Sequence, residues 1–207
     1  FYTKTAEFPA GFMTEYQPSL LTTDGTGQEL ATGFPIGKRF TSALVERSCD
    51  TNVKHLGHLH RADGRWRVYV FADAAAPQDA DSKVAAWARA VEEDPQSFRN
   101  RHTPSDGPQD ARFDIKVVYQ QKQTEFAHPD VSAVFRPTTG PLGLIDVHNI
   151  FATCRAKHGP DIFEVRGISR DGAVVVVRPD HYVSGVFGLE EVERLNAFFA
   201  GVLLDAN

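Results

Sequence analysis

Residues 173–187 read AVVVVRPDHYVSGVF, and the reading of this stretch decides the fold. Val174 to Val177 form a β-branched run that suits a strand. Arg178-Pro179-Asp180 follows, where proline fixes φ and aspartate tolerates turn geometry. A second apolar run starts at Tyr182, so the local reading is strand, turn, strand, an antiparallel hairpin. Beyond it, Leu189, Val192, Leu195, Phe198, Phe199, Val202 and Leu203 recur at helical spacing and predict a last helix over 189–203. Glu190, Glu191 and Glu193 fall in its first turn, where negative charge complements the helix dipole. They read as helix stabilisers, not as paired catalytic carboxylates.

Upstream, the strongest strand runs from Trp66 to Ala72, after the turn signal Ala62-Asp63-Gly64. Asp81-Ser82 can cap a helix over 83–94, with Val84, Ala85, Trp87, Ala88 and Val91 on one face and Pro95 as its stop. Residues 99–111 are polar and read as a loop. Phe113 to Tyr119 alternates apolar with polar residues and predicts a half-buried strand. Residues 121–141, with Pro129, Pro137 and Pro141, read as irregular. A short helix is expected after Asp146, through Ile150 and Phe151 to Lys157, ended by Gly159-Pro160. An early strand is expected over 53–61, with Leu56 and Leu59 as its apolar members. Residues 1–40 lack periodicity and form an irregular lead-in, leaving 41–207 as the folded domain. From Trp66 the order is strand, helix, strand, helix, hairpin, helix. A parallel pair joined by a helix, then an antiparallel hairpin, is a thioredoxin-like α/β arrangement: a central mixed sheet flanked by helices.

The chain has 207 residues, enough for one well-buried domain plus an extension. Its 42% hydrophobic and 24% charged content are those of an ordinary globular protein. The net charge of −5, with Lys and Arg scattered, argues against a nucleic-acid partner. No apolar run is long enough to span a bilayer, and no signal-peptide pattern opens the chain, so the expected location is cytoplasmic. The two cysteines, Cys49 and Cys154, stand alone and read as free thiols of a reducing compartment, with a single 49–154 bridge as the alternative.

Several segments carry a resemblance when taken together. They are Asp63-Gly64-Arg65-Trp66-Arg67-Val68-Tyr69-Val70-Phe71, Gly143-Leu144-Ile145-Asp146, the 173–187 hairpin with Arg178-Pro179-Asp180, and the closing amphipathic helix. The set resembles the C-terminal, thioredoxin-like domain of the phenol hydroxylase and 3-hydroxybenzoate hydroxylase family of FAD-dependent aromatic monooxygenases. Phe12-Met13-Thr14-Glu15-Tyr16-Gln17-Pro18-Ser19 is similar to the segment that leads out of the family's catalytic part. Gly33-Phe34-Pro35-Ile36-Gly37-Lys38-Arg39 resembles the entry into its last domain. The resemblance is weak over 1–30 and good from about residue 33 onward. It implies that Phe1 lies inside a longer polypeptide. It implies a parent enzyme that uses FAD and NAD(P)H on a phenol or hydroxybenzoate, with the flavin bound upstream. It implies that this domain packs on that catalytic part, contributes to a homodimer, and hydroxylates nothing alone.

A redox-active thioredoxin needs a Cys at the end of the first central strand, where a helix N-terminus lowers the thiol pKa. Here that position reads Ala72-Asp73-Ala74-Ala75-Ala76-Pro77, and no Cys-x-x-Cys occurs, so thiol–disulfide or peroxide chemistry is not expected. His55, His58 and His60 could ligate zinc or copper, but no Cys or carboxylate completes the set before Asp63, and a surface strand is the ordinary explanation. Glu92-Glu93-Asp94 reads as a solvated helix end. Arg178 and Asp180 read as partners within the hairpin turn. Gly25-Thr26-Gly27 lacks the third glycine and the preceding strand that a flavin pyrophosphate turn requires. The expected sets of catalytic, cofactor-binding and metal-binding residues are therefore all empty. A freestanding binding module with a redox-inactive thioredoxin-like fold is the alternative function.

Overall fold

The structure is a computed structural model that describes residues 8, 11–154 and 158–206. Its centre is a seven-stranded mixed sheet in the order β2-β1-β7-β4-β3-β8-β9. The strands are β1 (Leu44–Arg47), β2 (Val53–His55), β3 (Trp66–Phe71), β4 (Phe113–Tyr119), β7 (Ile150–Thr153), β8 (Ala173–Val177) and β9 (Val183–Phe187). A separate two-stranded sheet pairs β5 (Thr138–Thr139) with β6 (Leu144–Ile145).

The expected core is present. β3 runs parallel to β4, with Val68 opposite Ile115. Between them lies helix α1 (Lys83–Glu93), whose N-cap Ser82 accepts a hydrogen bond from the Ala85 amide. The hairpin β8–β9 adds antiparallel to β3, with Tyr69 opposite Val175. This is the arrangement read from the sequence: a parallel pair with a helical crossover, then an antiparallel hairpin.

Two apolar layers close the sheet. On the first face, Trp66, Val68, Val70, Phe113, Ile115 and Val117 pack against Trp87 and Val91 of α1, and against Leu195 and Phe199 of the last helix, α4 (Val192–Val202). Both helices present one apolar stripe, so burying it on the sheet drives their placement. On the second face, Tyr69, Phe71, Val118, Phe151, Val175 and Val177 meet Ala31, Phe34 and Phe40, together with Ile162 and Phe163 of helix α3 (Ile162–Val165).

Four expectations are corrected. First, the helix through Ile150 and Phe151 is absent, because Ile150–Thr153 is strand β7, parallel to β4 with Phe151 opposite Val118. A short apolar run has no periodicity that separates strand from helix, and covered on both faces it pairs as a strand. Residues 155–157, the end of that expected helix, lie outside the described residues. Second, β4 is buried along its whole length, because its polar residues meet buried partners. Third, the loop over 99–111 opens with helix α2 (Phe98–His102), capped by Ser97 Oγ accepting from the Asn100 amide and pinned by buried Phe98. Fourth, the strand expected over 53–61 stops at His55, and Leu56–Leu59 is a 3-10 turn that buries Leu56. Its partner β1 gave no sequence signal at all.

Residues 11–40 follow an irregular path along β9 and the second face. Thr23 N donates to Ser184 O at 2.8 Å, Gly37 N to Val183 O at 2.9 Å, and Gly33 N to Arg166 O at 2.8 Å. Gly37 holds φ +84°, and a Cβ there would stand 2.2 Å from Tyr16 O, so a side chain would separate two runs of the lead-in. Arg178, bonded to Asp180 through Nε at 3.0 Å, stacks its guanidinium 4.3 Å from the Tyr16 ring. Tyr16 in turn meets Tyr182 edge-on at 4.8 Å. The Arg-Pro-Asp turn thus also holds down the lead-in.

Candidate functional site

In a redox thioredoxin the thiolate sits where β3 meets the helix that follows. Here Asp73 takes that place. It is buried, and its two carboxylate oxygens accept from the amides of Lys83 at 3.2 Å and Val84 at 3.1 Å. The N-terminal amides of α1, which would stabilise a thiolate or bind an anion, are satisfied by the chain's own carboxylate. Cys49 lies in the turn after β1 and Cys154 just past β7, both free thiols. Burial, aided by the Glu46 charge, pushes the Cys154 thiol up to about 11. Burial and Asp50 raise that of Cys49 as well.

At the opposite end of β3 and β4 lies an ionic cluster that sequence reading missed. Arg67, fully buried, donates through Nη1 and Nη2 to both carboxylate oxygens of Asp63, each at 2.9 Å. Its Nε stands 2.8 Å from Asp114 Oδ2, close enough for ion pairing but off the line of the N–H bond. Lys116 Nζ donates to Asp114 Oδ1 at 2.6 Å and to Asn149 Oδ1 at 2.7 Å. Burial would raise the pKa of Asp63, but the hydrogen bonds from Arg67 and Arg65 outweigh it and hold the carboxyl well below the usual range. Burial holds the Lys116 ammonium below its ordinary value, an effect that Asp114 opposes. The alternation over 113–119 was the signal that could have found the cluster: charges facing Arg67 across the sheet, not water.

The three sequence-adjacent histidines do not converge. The rings of His55 and His58 lie 4.9 Å apart and tilted, while His60 turns away and stacks on His181 at 4.3 Å. Among the described residues no group of His, Cys, Asp or Glu is placed to hold a metal ion. Glu92 is not purely solvated, since its Oε1 accepts from the Val134 amide. Glu191 accepts from the Gly188 amide at 2.6 Å and pairs with Arg194, fixing the start of α4.

What remains open to a partner is surface. Phe12, Met13, Tyr16, Leu20 and Leu21 of the lead-in are exposed, as are Leu142, Leu144 and Ile145 around the β5–β6 hairpin. Among the described residues no helix is long and apolar enough to cross a membrane.

Residues 14–207 match the family described as phenol hydroxylase, C-terminal dimerisation domain. The chain belongs to this family. It is 42% identical over 200 residues to a 3-hydroxybenzoate 4-monooxygenase of Comamonas testosteroni, a match covering 96% of this chain and 31% of that protein. It is 28% identical over 202 residues to an FAD-dependent monooxygenase of Aspergillus terreus, covering 96% of this chain and 33% of the relative. The chain therefore spans about a third of the length of these curated relatives. Among solved structures, the exposed thioredoxin lipoprotein of Streptococcus pneumoniae strain TIGR4 superposes with a TM-score of 0.38 at 8% identity, covering 76% of this chain and 98% of that one.

Two turns of this chain bear on the FAD named for the Aspergillus terreus relative. Gly25-Thr26-Gly27 leads into a 3-10 turn over Gln28–Leu30, not a helix. A Cβ on Gly27 would stand 2.4 Å from Val186 O, so the chain itself fills the space beside that turn. At α1, Asp73 occupies the amides that a pyrophosphate would need. Neither of these two turns has the form of a pyrophosphate cradle.

Proposed function

We propose that this chain is the C-terminal, dimer-forming part of an FAD-dependent, NAD(P)H-using aromatic hydroxylase of the phenol or hydroxybenzoate type. Residues 1–40 are the lead-in from an upstream flavin-binding catalytic part, and 41–207 are the structural domain. The observation that carries this reading is the 42% identity over 96% of the chain to a 3-hydroxybenzoate 4-monooxygenase, confined to 31% of that relative. The chemistry belongs to the remaining two thirds. This domain supplies a rigid sheet with one edge bound by the lead-in, and exposed apolar surface that a second subunit and the catalytic part cover. The two free thiols agree with a cytoplasmic enzyme.

The test uses the chain as it stands. Sedimentation equilibrium reads its mass, and FAD fluorescence is titrated with the protein. The expected result is a concentration-dependent dimer and no saturable quenching. Saturable quenching at micromolar protein overturns the division of labour. A monomer at every concentration overturns the dimer-forming role.

A further inference from the structure

The hairpin β5–β6 stands apart from the main sheet. It carries Leu142, Leu144 and Ile145, which are 82%, 63% and 57% exposed. A lone two-stranded hairpin is marginal in water unless something packs on it. Its base is fixed: Asp146 N donates to Pro137 O at 2.9 Å, and Thr138 N donates to Gln109 Oε1 at 3.2 Å. Its tip is free, since nothing lies within 4 Å of where a side chain on Gly140 or Gly143 would stand. Beside the hairpin lies a groove of about 430 Å³, lined by Ala133, Val134, Arg136, Thr138 and Ile145 among others. The chain therefore carries a fixed apolar arm next to a half-apolar groove.

We infer that this arm is a contact by which one copy of the chain grips a second, Leu142 and Leu144 of each copy seating against the arm and groove of the other. The inference rests on the reading that the chain self-associates, which the family's description as a dimerisation domain supports. A two-fold dimer must bury the same patch on both copies, and an arm adjoining its own receptor groove satisfies that condition. The upstream catalytic part is the less suitable occupant, on geometry. The lead-in that would join it runs along β9, burying Ala31 and Phe34 on the second face, and passes α4, where Thr26 O accepts from Arg194 Nη1 at 3.3 Å and Leu20 lies 3.8 Å from where a side chain on Gly201 would stand. The arm follows Val134 and Phe135, which close the first face. The lead-in's own exposed apolar residues, Phe12, Met13, Leu20 and Leu21, adjoin that connection and are the nearer surface for the catalytic part.

The experiment measures the dimer dissociation constant by sedimentation equilibrium for the parent chain, for Leu142→Asp/Leu144→Asp, and for Leu20→Asp. Circular dichroism and the urea midpoint check each fold. Because both arm leucines are exposed, the double variant folds as the parent does, and Leu142→Ser serves if it does not. Loss of two central apolar anchors weakens association about 100-fold or more, the scale of interface hot spots, while Leu20→Asp leaves it unchanged. A parent that dimerises, with a double variant that dimerises equally well, overturns the arm and leaves the self-association reading standing. Loss of the dimer in Leu20→Asp alone does the same and moves the contact to the lead-in. A parent that stays monomeric overturns the self-association reading itself.

Discussion

Replacing Phe199 or Phe198 of α4 by alanine tests how the last helix is held. The two residues are adjacent in sequence but differ in surroundings. Phe199 is fully buried, and its ring lies 5.4 Å from Trp66, 5.1 Å from Phe98, 4.9 Å from Phe113 and 5.1 Å from Phe198. Phe198 is only partly buried, at 6.0 Å from Trp66 and 6.1 Å from Phe187. Truncating a phenylalanine in a packed site costs about 3–5 kcal/mol, and each aromatic pair lost adds about 0.5–1.5 kcal/mol beyond area burial. Phe199→Ala belongs at the upper end, about 4–5 kcal/mol. Phe198→Ala loses a half-wetted ring and costs about 1–2 kcal/mol, since its side chain gives up only part of the ~1.5–3 kcal/mol of full burial. With a urea slope of about 2 kcal/mol/M, the midpoints fall by about 2 M and about 0.5–1 M respectively. Urea unfolding followed by tryptophan fluorescence reads both, because Trp66 and Trp87 sit in this layer. Equal shifts, or a Phe199→Ala midpoint within about 0.5 M of the parent, would refute the placement of α4 on the sheet.

Arg67→Met leaves Asp114 buried beside a single cation, Lys116, and destabilises by about 3–5 kcal/mol, whereas Arg67→Met combined with Asp114→Leu and Lys116→Met recovers most of that loss, because a buried ion cluster returns little beyond its own desolvation; urea midpoints of both variants check this, and equal losses refute it. Burial first, then the like charge of His60, Arg39 and Arg67, lowers the His181 pKa to about 4 against an ordinary 6.5, with Asp180 opposing. A depressed folded-state pKa means that the unfolded chain binds the proton more readily, so stability is full above 6.5 and declines as pH falls toward 4. His181→Asn, which tolerates the φ of +76° at that position, flattens the slope of stability against pH between 4 and 6.5; an unchanged slope shows that His181 is not its source. With its thiol pushed up to about 11 and little of its surface exposed, Cys154 reacts with a thiol reagent at pH 8 far more slowly in the native protein than after urea unfolding, which quantitative labelling of both measures; equal rates contradict its burial.

The legible parts of the fold were those whose pattern is local. Four β-branched residues in sequence, a Pro-Asp turn, a serine before an amphipathic run and the alternation of 113–119 each depend on a few neighbouring residues. What escaped depends on distant partners. Leu44–Arg47 is a strand only because β2 and β7 lie on either side of it. Ile150–Thr153 pairs with Val117 to Tyr119, some thirty residues upstream. Phe34 carries no helical or strand period, yet it is fully buried and stacks on Phe40 at 4.6 Å. The site showed the same division. The lack of a cysteine after β3 was readable from the sequence, but that Asp73 caps α1 from ten residues away was not. Asp114 and Lys116 looked like the wet side of a strand because Arg67, their counter-charge, lies on a strand reached only through the α1 crossover.

The Arg67–Asp114 contact also bears on how the sheet finds its alignment. Parallel partners β3 and β4 are joined by a long crossover, so no tight turn sets how one slides along the other. Apolar strands of this kind offer several offsets of similar energy, and the five-residue apolar run of β8 discriminates least of all. Arg67 and Asp114 are direct register partners. A slip of one residue would turn one charge toward Trp87 and Phe98 while its counter-ion stayed on the other face, stranding both. The cluster works as an index mark: it penalises every misaligned sheet far more than it stabilises the aligned one. The two-fold interface proposed for this chain, which would present one surface twice, would depend on that single solution.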